Sequence, residues 1–153
     1  MTQRKPLVIV AGEIEQLQSG DSIAQEEDIQ LTADATLIAG QIVYMSAADH
    51  VNKAKADAGG TAIVLGLATA AIVSGAVGGV QTGSILTLTT GQWDAAFGTT
   101  GGLVFNTRYY LSPTTAGLAT ATAPTTVGQY VVELGVALST TELQIAVKQR
   151  ILL

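Results

Sequence analysis

The sequence predicts an all-β protein, in which a sandwich or barrel-like body follows an extended N-terminal arm. Three observations predict this fold class. β-branched residues, Thr and Gly recur throughout the 153-residue chain, which contains 17 Gly. Short apolar runs of strand length alternate with turn residues, and no window of helical length shows a 3.6-residue period. Many short strands joined by turns are typical of β-sandwiches and barrels.

Residues 1–39 form the predicted arm or linker, and residues 40–153 form the predicted body. Thirteen of the 19 charged residues lie in the first 57 positions, so the N-terminal third is the most polar part of the chain. A first strand is predicted at Leu7–Val10. The segment 12–30 then mixes Gln, Glu and isolated apolar residues around a Ser-Gly-Asp turn, which suits an extended segment that docks on a neighbour.

The body contains nine predicted strands, each a β-branched or apolar run near Gly, Pro, Asp or Ser. In chain order they are Ile42–Ser46, Val51–Ala54, Val64–Thr69, Gly79–Thr82, Ser84–Thr89, Leu103–Leu111, Leu118–Thr122, Tyr130–Leu138 and Leu143–Lys148. Successive residues of a strand point to opposite faces. One of the neighbours Tyr109 and Tyr110 is therefore expected in the core and the other on the surface.

An internal repeat divides the body into two related halves, at about residues 40–90 and 106–153. Similar blocks recur in the same order: Tyr-Met-Ser at 44–46, Val51, Ala54 and Val-Leu-Gly-Leu-Ala at 64–68, then Tyr-Leu-Ser at 110–112, Leu118, Ala121 and Glu-Leu-Gly-Val-Ala at 133–137. Chance recurrence in a β-rich chain is the alternative, but the shared order of the blocks favours duplication. Each copy reads strand, turn, strand, loop, strand, which predicts two similar half-sheets around one core.

The composition excludes most catalytic, metal and nucleic-acid chemistry. The chain has no Cys and a single His, which excludes disulfides, thiolate nucleophiles and sites that need two imidazoles. The net charge is −5 and the basic residues are scattered, which argues against a phosphate-binding surface. Neither a P-loop nor a nucleophile-elbow motif occurs. We therefore expect no enzyme activity, no catalytic or metal-ligating residues, no cofactor and no nucleic-acid partner.

Three groups of polar residues could still carry chemistry, and each has a simpler interpretation. His50 beside Asp49 could form a proton relay or a metal corner, but an exposed turn histidine is the favoured interpretation, since there is no second His and no motif that places a nucleophile. The acidic run at 26–28 could hold a hard cation, yet it lacks the spaced ligands of a calcium loop. Glu133 and Glu142 could act as glycosidase carboxylates, but Glu133 alternates with apolar neighbours as an outward-facing strand residue does.

The uncharged stretch 62–80 is apolar enough to suggest a membrane span. Ser74-Gly75 and Gly78-Gly79 interrupt it, and no basic residue follows before Arg108, so short strands are the better prediction. The apolar run 7–11 is too short for a signal peptide. We therefore expect no membrane partner, and a protein of the cytoplasm or of a particle assembled there.

Trp93 and Tyr109 are the candidate subunit-interface residues. Trp93 is the only Trp in the chain. Its large flat side chain could anchor a subunit interface or stack on a sugar, and folding onto its own core is an equal alternative. An exposed Tyr suits an interface, where aromatic residues are enriched.

Several segments resemble small structural proteins of tailed bacteriophages and prophages. They span nearly the whole chain and are Lys5–Val8, Gln16–Asp21, Thr89–Asp94, Gly101–Leu103, Tyr109–Ser112, Ala123–Val132 and Ile151–Leu153. These are patterns of turns and strands and contain no catalytic signature. Among such proteins the chain is most similar to capsid decoration (cement) and head-fibre proteins, which are also small, β-rich and free of Cys.

The resemblance implies a homotrimer seated on the major capsid protein lattice at the virion surface, assembled in the host cytoplasm, with the arm clasping a neighbour. It assigns no functional residue individually. Our candidate capsid contacts are the apolar residues of the arm: Leu7, Val8, Ile9, Val10, Ile14 and Leu17. The alternative interpretation is a tail- or head-fibre module that binds host-surface glycans through Trp93 or an exposed Tyr.

Overall fold

The computed structural model describes residues 28–153 in full, together with the backbone of residues 7–10 and 13–16. The described residues are nearly all β, as the sequence predicts, and contain one short helix. The elements are β1 (Leu7–Val10), β2 (Glu13–Gln16), β3 (Asp28–Ala33), β4 (Ile42–Ala47), β5 (His50–Lys53), β6 (Val64–Ala68), β7 (Val77–Gln81), β8 (Ser84–Thr87), α1 (Thr90–Phe97), β9 (Arg108–Leu111), β10 (Ala119–Thr120), β11 (Tyr130–Val131), β12 (Glu133–Ala137), β13 (Glu142–Ile145) and β14 (Ile151–Leu152).

Two pairs of strands form small antiparallel sheets of their own. β1 and β2 make a hairpin in which Ile9 lies opposite Ile14. β11 pairs with β14, so the C-terminal Ile151 lies opposite Val131. The predicted strand at Leu7–Val10 is confirmed, whereas β2 and β14 are additional strands.

The first unit, residues 28–81, is a closed barrel with the strand order β3-β5-β4-β6-β7. All of its strand pairs are antiparallel except β3 with β5, where Thr32 lies opposite His50 and Ala33 opposite Val51. This short parallel seam closes the barrel. The interior is filled by Leu31, Ala33, Leu37, Val43, Val51, Ala68, Ile72 and Val80.

The second unit, residues 84–145, is a five-stranded sheet with the order β10-β9-β12-β13-β8. Its two outer strands, β8 and β10, are not paired with each other in this sheet. Helix α1 follows β8 instead and contacts β10. A second, larger core fills the space between the helix and this sheet, and it also includes Ile42 and Leu67 of the first unit. Because neighbours on a strand face opposite ways, Val43 fills the barrel while Ile42 joins the two units.

The two units share a pattern of strand pairing around the blocks that recur in the sequence. In both units, a one-residue bulge interrupts the pairing of the Tyr strand with the Leu-Gly strand. The strands that follow, β7 and β13, pair in the same register with β6 and β12. Equivalent pairs are Tyr44–Val64 with Tyr110–Glu133, Val43–Gly66 with Tyr109–Gly135, Leu67–Gln81 with Val136–Gln144, Ala68–Val80 with Ala137–Leu143, and Ile29–Val80 with Leu86–Leu143.

The boundary between arm and body, placed at residues 39 and 40 from the sequence, requires correction. β3 lies within residues 28–39 and pairs with β7 at five successive positions. Leu31, Ala33 and Leu37 are buried in the barrel. Residues 28–39 therefore belong to the body, because β3 supplies the strand through which the barrel closes.

Helix α1 was not expected, because eight residues are too few to show a helical period. A capping box starts it: the Gln92 N–H donates to Thr89 Oγ1 at 3.3 Å, and the Thr89 N–H donates to Gln92 Oε1 at 2.9 Å. Gly98 ends it with a left-handed backbone, at φ 65°. The spacing Thr-x-x-Gln was the sequence signal that could have revealed the helix.

The strand prediction at 103–111 is too long, because only Arg108–Leu111 pairs. Asn106 has a φ of 59°, which places a turn directly before the strand. The apolar stretch 62–80 contains β6 and all of β7 except Gln81, so it forms short strands, as predicted. Within the described part of the chain, no helix has the length and apolar character needed to cross a membrane.

Candidate functional site

The candidate capsid contacts lie at the N-terminal end of the chain. Leu7, Val8, Ile9 and Val10 form β1, and Ile14 lies on β2. The pairing of the two strands places Val8 opposite Glu15 and Ile9 opposite Ile14. The structure describes their backbone but not their side chains, and Leu17 lies outside the described residues. Their assignment to capsid binding stays a prediction.

Trp93 lies in the core of the chain. Its ring is fully buried on α1, and its indole N–H donates to the Thr141 carbonyl at 2.9 Å. The Phe97 ring contacts it edge-on, with 4.9 Å between the ring centroids. Both the apolar face and the polar tip of Trp93 thus have partners within its own chain. We therefore reassign this residue from a subunit interface, or a sugar-stacking site, to the core.

Tyr109 is likewise a core residue and not an interface residue. Its side chain is fully buried, packs against Phe97 with 4.9 Å between centroids, and accepts a hydrogen bond at its hydroxyl from the Val104 N–H at 3.0 Å. Its neighbour Tyr110 is partly exposed. The alternation predicted for this pair is confirmed, but the inward-facing tyrosine is the one that was proposed for the surface.

The two glutamates considered for glycosidase chemistry lie at opposite ends of neighbouring strands. Glu133 begins β12 and Glu142 begins β13, and the strands are antiparallel. Because the Leu138 N–H donates to the Glu142 carbonyl, Glu142 lies beside the far end of β12, roughly 15 Å along the strand from Glu133. The carboxyl groups of a glycosidase are only about 5–10 Å apart. This pair does not have that geometry.

His50 has a different partner from the one its sequence neighbours suggested. Its Nδ1–H donates to Asp34 Oδ1 at 2.7 Å, and the Ser46 hydroxyl donates to Asp34 Oδ2. These two hydrogen bonds, Ser46 first, hold the pKa of Asp34 below its ordinary value, and the charge of His50 adds to the effect. Since Ser46 and His50 both bind Asp34, the cluster ties β3 to β4 and β5 next to the parallel seam. It has the geometry of a structural clasp.

Asp94 performs a similar task in the second unit. Its carboxylate accepts hydrogen bonds from the Gly102 N–H at 2.8 Å, the Thr99 hydroxyl at 2.8 Å and the Gly101 N–H at 3.0 Å. These donors, with Gly102 the strongest, lower the pKa of Asp94. The Asp94 side chain thereby holds the glycine-rich loop after α1 against the helix. No sequence pattern indicates this role.

Metal ligation finds no support in the residues that the structure describes. No cluster of three or more His, Asp or Glu side chains lies among them. In the acidic run considered as a cation site, Glu26 and Glu27 lie outside the described residues. Asp28 lies on β3, opposite Gln81 of β7.

Exposed apolar side chains are the most prominent feature of the described surface. They concentrate in turns and at the C-terminal end. The largest are Ile29, Ile38, Met45, Ile63, Val73, Val77, Ile85, Val104, Phe105, Val127, Leu138, Ile151, Leu152 and Leu153. A groove of about 450 Å³ runs between residues 62–64 and 147–150, and Arg150 covers the Tyr130 ring beside it. The sequence alone does not show which of these apolar residues are exposed and which are covered.

Comparison with models of known protein families and with curated proteins gave no match to this chain.

Proposed function

We propose that this protein is a structural protein of a tailed-bacteriophage virion, a capsid decoration or cement protein that binds the assembled lattice of the major capsid protein and stabilises the head. The observation that carries the proposal is the surface of the body. It has few charges and many exposed apolar side chains, among them Ile63, Ile85 and Ile151. Exposed apolar residues are typical of surfaces that contact another protein. The resemblance to phage decoration proteins supplies the partner.

The stabilisation would follow from mass action. A protein that binds the assembled lattice but not its free subunits shifts the equilibrium toward the lattice, by an amount that grows with its free concentration over the dissociation constant. Several copies joined in one oligomer would bind more tightly than one copy, because the second contact becomes intramolecular. Five of the candidate capsid contacts, Leu7–Val10 and Ile14, lie on the β1–β2 hairpin.

Co-sedimentation with isolated, expanded capsids and, in parallel, with isolated tails tests the proposal. We expect saturable binding to heads at a fixed ratio to the major capsid protein, and no binding to tails. Ile9→Asp should weaken head binding at least tenfold, whereas the matched variant Val127→Asp, in a loop of the body, should bind less than twofold more weakly. Folded protein that does not bind heads would contradict the proposal. Binding to tails alone would assign the chain to a fibre.

A further inference from the structure

The strand-pairing repeat identifies two equivalent turns in the body. The first turn is residues 38–41 and the second turn is residues 104–107. In each, the N–H of the last residue donates to the carbonyl of the first, at 3.2 Å in the first turn and 3.1 Å in the second. In each, the third residue has a left-handed backbone, with φ 83° at Gly40 and 59° at Asn106. Both turns lead directly into the Tyr strand of their unit.

The first turn is covered from within the chain, by the second unit. Ala39 is only 4% exposed and belongs to the core that contains α1. A Cβ atom placed on Gly40 would lie 3.0 Å from Ala96, 3.2 Å from Leu88 and 3.3 Å from Trp93. The first turn of one unit therefore packs closely against the segment that follows β8 in the next unit.

The second turn has a larger apolar surface and has no such cover among the described residues. Phe105, the counterpart of Ala39, is 72% exposed, and Val104 is 61% exposed. Leu138 extends the patch, since the Asn106 N–H donates to the adjacent Ala137 carbonyl at 2.9 Å. The position that is buried in the first unit thus carries an exposed phenylalanine in the second.

We propose that the second turn is a self-association surface, and that it packs against the first unit of another copy of this chain. The argument is the contact that already exists between the two units: the first turn packs against the second unit, whereas none of the described residues receives the second turn in the same way. A second copy supplies an equivalent unit. This inference goes beyond the proposed function and does not depend on capsid binding.

The repeat also indicates which surface of the other copy receives the turn. Within the chain, the first turn packs on the segment after β8. The equivalent of β8 in the first unit is β3, since both pair with the last strand of their unit in the same register. The chain after β3 lies against residues 73–77, where the Ser74 hydroxyl donates to the Asp34 carbonyl at 2.9 Å and the Ser74 N–H donates to Thr36 Oγ1 at 3.3 Å. In this segment, Val73 is 67% exposed, and Val77, the first residue of β7, is 64% exposed.

The proposed contact joins two different surfaces, so it is head-to-tail. A head-to-tail contact closes into a ring when its rotation divides a full turn. A ring of three chains would contain six units, alternating first and second.

Sedimentation velocity of point variants tests the proposal. We expect the wild-type chain to associate, and Phe105→Glu and Val77→Glu each to weaken association at least tenfold, because each places a charge in one of the two surfaces. Val127→Glu is the matched control, because Val127 is also an exposed apolar residue but lies far along the chain from residues 73–77 and 104–107. This variant should associate as the wild type does. A 1:1 mixture of Phe105→Glu and Val77→Glu retains one intact contact and should form dimers only.

The outcomes separate the possible geometries. A monomeric wild-type chain, or a Phe105→Glu variant that associates normally, would overturn the proposal. Normal association of Val77→Glu would overturn the head-to-tail geometry, and equal loss in Val127→Glu would show that the effect is not specific to the two surfaces. Near-ultraviolet circular dichroism of the buried Trp93 verifies that each variant is folded.

Cross-linking gives a second test that does not need a disruptive charge. The chain has no Cys, so an introduced pair reports only its own contact. Under a mild oxidant, the double variant Phe105→Cys/Val77→Cys should form covalent multimers within a native assembly. The control pair Val127→Cys/Val77→Cys should form fewer by at least tenfold. Equal cross-linking of the two pairs would overturn the assignment of these surfaces.

Discussion

The two units of the body share one pattern of strand pairing but close their sheets differently. In the first unit, β3 continues to Thr32 and Ala33 and pairs in parallel with β5, which completes a barrel. In the second unit, the equivalent of Thr32 is Thr89, which leaves the sheet and caps helix α1. A capped helix thus stands in the second unit where the first unit has the strand pairing that closes its barrel.

The different closures distribute the apolar core unequally. The barrel of the first unit is filled mainly by aliphatic residues of moderate size. The core of the second unit contains three aromatic rings in contact, those of Trp93, Phe97 and Tyr109. Helix α1 therefore covers the second core, as the pairing of β3 with β5 encloses the first. The core of the second unit depends on this helix.

Removal of the Trp93 side chain should lower the free energy of unfolding more than any of the other substitutions. Because the ring is fully buried and bonded to Thr141, we expect Trp93→Ala to lower the free energy of unfolding by about 3–5 kcal/mol. Val127→Ala, at an exposed position, should change it by less than about 0.5 kcal/mol. Urea unfolding followed by far-ultraviolet circular dichroism measures both. A loss below about 1 kcal/mol for Trp93→Ala would contradict the closure of the second unit by α1.

Substitution of Gly66 and Gly135 tests whether these two positions, which correspond in the strand pairing of the two units, are equivalent in their packing. A Cβ atom on Gly66 or on Gly135 would overlap the carbonyl oxygen of the facing strand, that of Gln81 or Gln144. We expect Gly66→Ala and Gly135→Ala each to destabilise the protein by about 1–3 kcal/mol, through forced movement of the backbone. The measurement is the urea midpoint of each variant.

The control for this pair is Gly60→Ala. An added Cβ at this position meets no atom within 4 Å, so we expect a change of less than about 0.5 kcal/mol. If Gly66→Ala and Gly135→Ala differed from each other by more than either differs from the control, the two sites would not be equivalent.

Loss of the helix cap should have a smaller effect, confined to the second unit. The Thr89 side chain accepts from the Gln92 N–H, so Thr89→Ala leaves a helix N–H without its partner and should cost about 1 kcal/mol. Amide hydrogen exchange should accelerate in α1 and stay unchanged in the barrel. Thr125→Ala, in an exposed loop, serves as the control. Faster exchange in β3 and β5 as well would show that the two closures are coupled.

The pH dependence of stability should sharpen the contrast between the two aspartates. Both have a pKa below the ordinary 3.8 in the folded chain, so each contributes stability above that pH, which is lost as the pH falls through the folded pKa. We expect the unfolding temperature to fall below about pH 4, and Asp34→Asn or Asp94→Asn to reduce the fall.

Salt should separate the two contributions. The charge of His50 acts on Asp34, whereas only hydrogen bonds to neutral donors lower the pKa of Asp94. Because salt screens exposed charges, 1 M NaCl should shrink the Asp34 contribution and leave that of Asp94 nearly unchanged. Unfolding temperatures of the Asp34→Asn and Asp94→Asn variants, measured from pH 7 to pH 2.5 at low and high salt, would show this difference. Equal salt sensitivity of the two variants would contradict this assignment.

Much of the fold could be predicted from the sequence, because strand alternation and the repeated Tyr and Leu-Gly-x-Ala blocks are local signals. β3 was missed because its alternating Leu31 and Ala33 follow an acidic run, which made the whole segment resemble an arm. Helix α1 was missed because a capping box, and not a periodic pattern, specifies it. Short elements that depend on tertiary contacts leave a weak trace in the sequence.

The candidate site was harder to predict for a physical reason. A large aromatic residue is equally suited to a core and to an interface, so composition could not show that Trp93 and Tyr109 are buried within one chain. Phe105 is exposed because the first turn, and not the second, packs against a neighbouring unit among the described residues. The sequence does not show how the two units pack on each other. The partner of His50 is Asp34, 16 positions away, and no local pattern connects them.

The central claim, that the protein stabilises an assembled phage head, is tested most directly by heating isolated heads with and without saturating protein and recording the temperature at which they release DNA. Binding only to the intact lattice predicts a release temperature that rises with protein concentration and levels off at saturation. Phe105→Glu, with its self-association weakened, should give a smaller rise at the same concentration. Heads that bind the protein to saturation and release DNA at an unchanged temperature would contradict the claim.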